Sequence, residues 1–281
     1  MNGLLITDSQ VHIWGADTPA RPWPQSAFVP HRPQPLSCDE LLREMDAAGV
    51  ARAVIVPPAW EGDRNDLALE AARLHPQRLA VTGRLDLAAA ASRDAIAGWR
   101  GGGMLGLRVT FNLPAVQAPL IEGRVNWLWQ AAERARLPLM VFVPHALMPL
   151  IDAVAARHPA LKLVLDHMGL VGKTRGDAAF RDLDMLLALA RRPNVAVKTT
   201  SVPLYAADGY PYSSVHPYLR RVFDAFGPQR FFWGSDFTQL PCSYADAVRM
   251  YMEEIPWLSE HDKEWVMGRA LCAWLDWPWP A

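Results

Sequence analysis

Two carboxylates, three histidines, an amide and three cations follow short apolar runs along this chain: Gln10 and His12, Arg84, Arg108, His145, Asp166 with His167, Lys198, and Asp236. Such a set suits proton transfer at a carbonyl carbon, with a carboxylate to deprotonate water and imidazoles to polarise the carbonyl or move a proton. Asp236, in FFWGSDF, lies between Trp233 and Phe237. Partial desolvation there is expected to raise its pKa towards that of a working base. His167 in DHMG is the second catalytic candidate, with Asp166 beside it as an orienting residue. His12 is the third. Gln10 and His12 flank Val11, so in a strand both project to one side, as donors or ligands aimed at a pocket. Arg108 and Lys198 would grip a carboxylate on an anionic substrate, with Trp14 and Tyr205 as further substrate-binding candidates. His31, His75, His158, His216 and His261 fall in loops or near helix ends and read as surface residues, with His31 alone within reach of a lid.

Side chains so far apart in sequence need a scaffold that gathers them. The runs LLITDSQVHI, RAVIVPP, LAVTGRLD, MLGLRVTF, PLMVFVPH, LKLVLDHMG, NVAVKTT and FFWGSDF have the continuous Val/Ile/Leu character of buried parallel strands. Segments with helical spacing alternate with them. The first, LSCDELLREMDAAG, has capping-box spacing at Ser37 and Glu40 and a stop signal at Gly49. Others cover 67–75, 92–100, 125–136, 147–158, 178–192, 215–227 and 243–255. This alternation predicts an α/β chain folded as a (β/α)8 TIM barrel, with residues 1–281 as one domain and the chemistry at the carboxyl ends of the strands. An open doubly wound sheet is the alternative, but the first connection lacks G-x-G-x-x-G. Residues 15–35, rich in proline, are expected to form an irregular loop over the catalytic face. Residues 259–281 are expected to form a helix and strap that seal the outer ring.

The bulk properties narrow the partners. With 51% hydrophobic and 20% charged residues and a net charge of −1, the chain lacks the electrostatic excess that draws nucleic acid or an anionic membrane. Cys38, Cys242 and Cys272 are too few and too dispersed for a disulfide framework or a zinc ribbon. The N-terminus has no basic n-region, and no run approaches the roughly 20 apolar residues of a bilayer span. A cytoplasmic enzyme acting on a small molecule is the expectation, and base rates are compatible with a homo-oligomer.

Taken together and in this order, DSQVHIW, GLRVTFN, LVLDHMG, VAVKTTS and RFFWGSDF resemble the amidohydrolase superfamily. The likeness is to the amidohydrolase-2 group, which includes 2-pyrone-4,6-dicarboxylate hydrolase and sugar-lactone and muconolactone hydrolases, and it spans almost the whole chain. The resemblance implies a distorted barrel that opens a lactone or related cyclic ester. Asp236 would activate water, His12 and His167 would flank the carbonyl, and Arg108 and Lys198 would hold a substrate carboxylate. The group's His-x-His after the first strand reads Gln10-Val11-His12 here, which replaces a good zinc ligand by a neutral amide. A metal-free mechanism is therefore expected; a single divalent metal such as zinc, if bound, would use His12, His145 and Asp236. Decarboxylation or lactone isomerisation on the same barrel is the main rival, and a non-catalytic small-molecule-binding homologue is the rival from another class.

Overall fold

The computed structural model describes residues 4–24, 26 and 28–280. Eight strands, each hydrogen-bonded in parallel to the next, run in the order of the chain: β1 Thr7–Val11, β2 Arg52–Ile55, β3 Leu79–Gly83, β4 Gly106–Thr110, β5 Leu139–Phe142, β6 Leu163–Leu165, β7 Val195–Thr199 and β8 Phe231–Trp233. Each coincides with one of the apolar runs, and the sheet curls into a nearly closed (β/α)8 barrel. Among the described residues, no helix is long and apolar enough to cross a membrane.

The two-residue period of a strand sorts the barrel interior into layers. At the amino ends of the strands, Val54, Ala80, Met140, Val164, Ala196 and Phe232 form an apolar floor. Leu271, Leu275 and Trp277 pack into this floor from below. The C-terminal segment thus plugs the bottom of the barrel rather than only sealing the outer ring. Arg52 fixes it there, its guanidinium 3.5 Å from the Trp277 ring centroid and donating to the Pro278 carbonyl at 3.0 Å. Two residues further along their strands come Asp166 and Lys198, which meet the side chains of Arg108 and Gln10, and the upper layer opens into the pocket.

The helices follow the sequence signals closely at their starts. Ser37 and Glu40 make the expected capping box for Cys38–Ala48, and Gly49 ends it in the left-handed conformation, φ 72°. One stretch departs from expectation. Residues 178–192 do not make one helix: the α-helix is confined to Leu183–Leu187 and continues as a 3-10 turn over Ala188–Arg191. Phe180, Leu183, Leu186 and Leu189 are the buried residues, a spacing of three that matches the tighter 3-10 repeat.

Closure between β1 and β8 rests on Asp8. The register of β1 on β2 slips between Asp8 and Val11, which frees the Gln10 N–H to donate to Asp8 Oδ1 at 2.8 Å. The same carboxyl accepts the Ser235 N–H at 3.0 Å, the Ser235 hydroxyl, and the Tyr244 hydroxyl at 2.6 Å. Alongside, the Asp236 N–H donates to the Gln10 carbonyl at 3.0 Å. The chains approach so closely here that a Cβ on Gly234 would lie 2.3 Å from Ser9 Oγ and 3.0 Å from Asp8 Oδ1, so only glycine fits. Removing the Asp8 carboxyl strands up to four buried donors at about 1–3 kcal/mol each. Asp8→Ala is therefore expected to lower the unfolding free energy by at least about 3 kcal/mol in urea titrations. Burial also pushes this carboxyl up from 3.8 to about 6 against its four donors. The folded state then holds the proton more tightly, so this contribution to stability is present below pH 4 and is lost as pH rises through 6. The stability difference between wild type and Asp8→Asn, followed by urea midpoint across that range, should shrink in that direction.

Candidate active site

Three consecutive strand ends turn in the same unusual way. After β6, β7 and β8 the chain places His167 (φ 54°), Ser201 (φ 60°) and Asp236 (φ 52°) in the left-handed region, followed at β6 by Met168 and Gly169 in the same conformation. Such conformations cost non-glycine residues about 1–2 kcal/mol each, and they persist where the surroundings overdetermine them. Here they swing three polar side chains into contact. The Ser201 hydroxyl donates to Asp236 Oδ2 at 3.0 Å and lies 3.3 Å from His167 Nδ1, and His167 Nε2 is 4.0 Å from Asp236 Oδ2. Gln239, one turn beyond Asp236, donates to both Ser201 Oγ and Asp236 Oδ2.

The two oxygens of Asp236 therefore have different surroundings. Oδ2 is held by two donors, whereas Oδ1 has no hydrogen-bond partner among the described residues. Oδ1 faces His12 Nε2 at 3.2 Å and His31 Nδ1 at 3.9 Å. Burial alone would lift this carboxyl, which is 1% exposed. The opposing effect of His12, joined by His31 and His167, wins and holds it well below the usual carboxylate range. That direction is the reverse of the sequence expectation: the group is desolvated, but three imidazoles surround it.

Hydrogen bonding fixes the protonation of two imidazoles. The Val56 carbonyl can only accept, so His12 Nδ1, 2.5 Å away, carries a hydrogen and turns Nε2 towards Asp236. Gln10 Oε1 faces Arg108 Nη1 at 3.2 Å and Lys198 Nζ at 3.3 Å, so it must accept from both. The amide nitrogen then donates to His167 Nε2 at 3.1 Å, and His167 Nδ1–H donates to Thr200 Oγ1 at 2.7 Å. Burial pulls His167 down to about 4, in keeping with a neutral ring. With both nitrogens engaged, His167 has no free N–H to offer a carbonyl. Its geometry suits positioning rather than the polarising role expected from sequence.

The cations divide in the same manner. Asp166, fully buried, pairs with Arg108 at 2.8 Å and Lys198 at 3.2 Å. The two cations overcome burial and lower the Asp166 pKa. Lys198 is 0% exposed and does not line the pocket, so it neutralises the layer below instead of meeting substrate. Arg108 does line the pocket, and so does Arg84, which makes no ion pair among the described residues. Burial, with Arg108 as a like-charged neighbour, pulls Arg84 down to about 10, leaving it cationic near neutrality. The cavity, of about 170 Å³, is lined by these two arginines, Gln10, His12, His167 and Asp236, with Asn112, Trp60 and the loop residues Phe28 and His31 completing its rim.

Three sequence candidates lie elsewhere. Trp14 is buried behind the wall, edge-on to Trp60 at 5.3 Å. The Tyr205 hydroxyl donates to the Leu170 carbonyl, away from the cavity. His145 Nε2–H donates to the Met168 carbonyl at 2.9 Å and so braces the left-handed turn. The ring atoms that do converge with a carboxylate oxygen, all within 4.8 Å of one another, belong to His12, His31 and Asp236. Their donor set suits a divalent cation: two imidazoles and, among the described residues, a carboxylate oxygen without a hydrogen-bond partner. His31, read from sequence as a surface residue, is the main omission. Arg84, Ser201, Gln239 and Asn112 also belong to the site, and of these only Arg84, at a strand end, had a sequence signal.

Residues 7–270 match the amidohydrolase family. The chain is 28% identical over 299 residues to an L-fucono-1,5-lactonase of Burkholderia multivorans, an alignment that covers 96% of each chain. It is 24% identical to a 4-sulfomuconolactone hydrolase of Hydrogenophaga intermedia, over 86% of this chain and 77% of that one. A solved amidohydrolase from Burkholderia multivorans with bound zinc superposes with a TM-score of 0.78 at 24% identity, covering 98% of this chain and 100% of the other.

The ion triad separates the roles of its members. Asp166→Ala leaves Arg108 and Lys198 buried without a counter-charge and is expected to cost about 3–5 kcal/mol. Lys198→Met leaves the Arg108–Asp166 pair balanced and should cost well under half as much in the same denaturation series.

Proposed function

The chain belongs to the amidohydrolase family, and from that premise we propose that it is a hydrolase that opens a lactone or related cyclic ester carrying an anionic group. The single observation that carries the reading is the pairing, in one cavity, of the bare Asp236 Oδ1 with the Arg84 and Arg108 cations. The names of the relatives support the same reaction class, since both are lactone hydrolases.

In the mechanism we infer, a water beside Asp236 Oδ1 loses a proton to the carboxylate as it adds to the ester carbonyl. His12 Nε2, 3.2 Å from the same oxygen, shares that proton, which offsets the weak basicity of a carboxylate with a depressed pKa. Ser201 and Gln239 hold Oδ2, so that Oδ1 is the reactive oxygen. Arg108 and Arg84 orient the substrate carboxylate and stabilise developing negative charge, with Arg84 taking the part that Lys198 was expected to play. The proton held by the Asp236–His12 pair then passes to the leaving ring oxygen. His167 keeps Gln10 in place and thereby the amide that spaces Arg108 from the floor. A divalent cation held by His12, His31 and Asp236 would, when bound, lower the pKa of a water and polarise the carbonyl.

Incubation with a panel of sugar lactones and carboxylate-bearing lactones in oxygen-18 water is expected to give a hydroxy acid with one solvent oxygen in its new carboxylate. Carbon dioxide release, or isomerisation without oxygen uptake, would instead identify the decarboxylase or isomerase chemistry. Arg84→Met should raise KM for an anionic lactone by about 10-fold or more while leaving neutral lactones little changed, as measured by steady-state kinetics.

A further inference from the structure

The proline-rich loop over the barrel mouth carries a histidine that reaches the same oxygen as His12. We propose that His31 is a loop-borne ligand which, with His12 and Asp236, forms a three-coordinate site for one divalent transition-metal cation of the zinc class, and that this site ties the loop to the barrel. This binding site stands apart from the lactone reading, because it is read without turnover.

The first argument concerns Nε2 of His12. The Val56 carbonyl takes the hydrogen of His12 Nδ1, which leaves Nε2 facing Asp236 Oδ1 at 3.2 Å in a nearly dry setting. Positive charge lies between an imidazole nitrogen and a carboxylate oxygen at that distance, and a metal ion supplies it as well as a proton does. A tetrahedral zinc with bonds of about 2.0–2.1 Å spaces neighbouring ligand atoms about 3.3 Å apart, close to the separation observed. Gln10 cannot serve, because its amide is spent on Arg108, Lys198 and His167.

The second argument concerns preorganisation. Ligating imidazoles and carboxylates are ordinarily oriented by a hydrogen bond on their other atom. Two members of this trio have one, His12 from Val56 and Asp236 from Ser201 and Gln239, while Thr238 Oγ1, 2.8 Å from His31 Nδ1, holds the third ring beside them. Trp60 walls both imidazoles, with ring centroids 5.9 Å from His12 and 4.8 Å from His31. Pro30, Pro33 and Pro35 restrict the backbone on either side of His31. The loop is also held at both ends. Arg21 bridges buried Glu61 and Asp66 near its start, and Arg32 donates to the Thr238 carbonyl beside His31. Three protein ligands leave a fourth position, the arrangement of a catalytic rather than a structural zinc site.

The test uses the full chain, stripped by chelator and titrated with cobalt(II) or zinc(II) by calorimetry, with the visible bands of tetrahedral cobalt as the structural signature. One ion per chain is expected. His31→Gln should lose at least about 100-fold in affinity, the upper end of what disturbing an oriented ligand costs. His31→Asp, which returns a ligand oxygen, should recover part of that loss. His145→Gln should bind as the wild type does, since that ring is committed to the Met168 carbonyl. Thermal unfolding of each variant checks the fold, and zinc should raise the wild-type midpoint by mass action. Failure to bind an ion stoichiometrically, or His31→Gln binding as tightly as wild type, would overturn the proposal. Neither result bears on lactone opening, which the oxygen-18 assay reads separately.

Discussion

A carboxylate buried at the mouth of a barrel must be neutralised by what surrounds it, and the surroundings of Asp236 organise everything near the pocket. One oxygen is fixed by Ser201 and Gln239, and the other is left to two imidazoles. To bring these groups within reach the chain accepts left-handed backbone at His167, Ser201 and Asp236 in turn. The strain is distributed over three strand ends that hold one another. Met168 and Gly169 extend it at the β6 turn, where His145 braces the Met168 carbonyl.

Beneath that layer lies a second charge problem. Lys198 and Arg108 enter the barrel interior and, among the described residues, both pair with a single carboxylate, Asp166. Gln10 sits between this layer and the pocket, accepting from both cations with its oxygen and donating to His167 with its nitrogen. Its neutral amide does what an imidazole could not do there without leaving a cation short of an acceptor. Gln10 on β1 therefore settles both the tautomer of His167 and the direction in which Arg108 points.

The barrel was legible because eight buried parallel strands leave a plain apolar pattern, and every run became a strand. The candidates placed at strand ends were legible for the same reason: Gln10, His12, Arg108, His167 and Asp236 meet in one cavity because the period of two points them inward. Lys198 obeys the same period yet lies one layer too deep, a depth that strand-end position alone does not reveal. His31 could not be read, because composition marks a proline-rich loop but not where its side chains land. Ser201 and Gln239 depend on left-handed turns, which Ser and Asp residues do not announce as glycine does. The tight turns after Phe180 were written in a spacing of three that is easily taken for an ordinary amphipathic helix.

The central claim is that Asp236 removes the proton from the attacking water, and its most direct measurement is the turnover of Asp236→Asn on a lactone substrate. Asparagine tolerates the left-handed backbone and keeps the shape of the side chain, so the fold should be preserved, as thermal unfolding will show. The account predicts a fall in kcat of about 100-fold or more with a comparatively small change in KM. A folded Asn variant that turns over at the wild-type rate would contradict it.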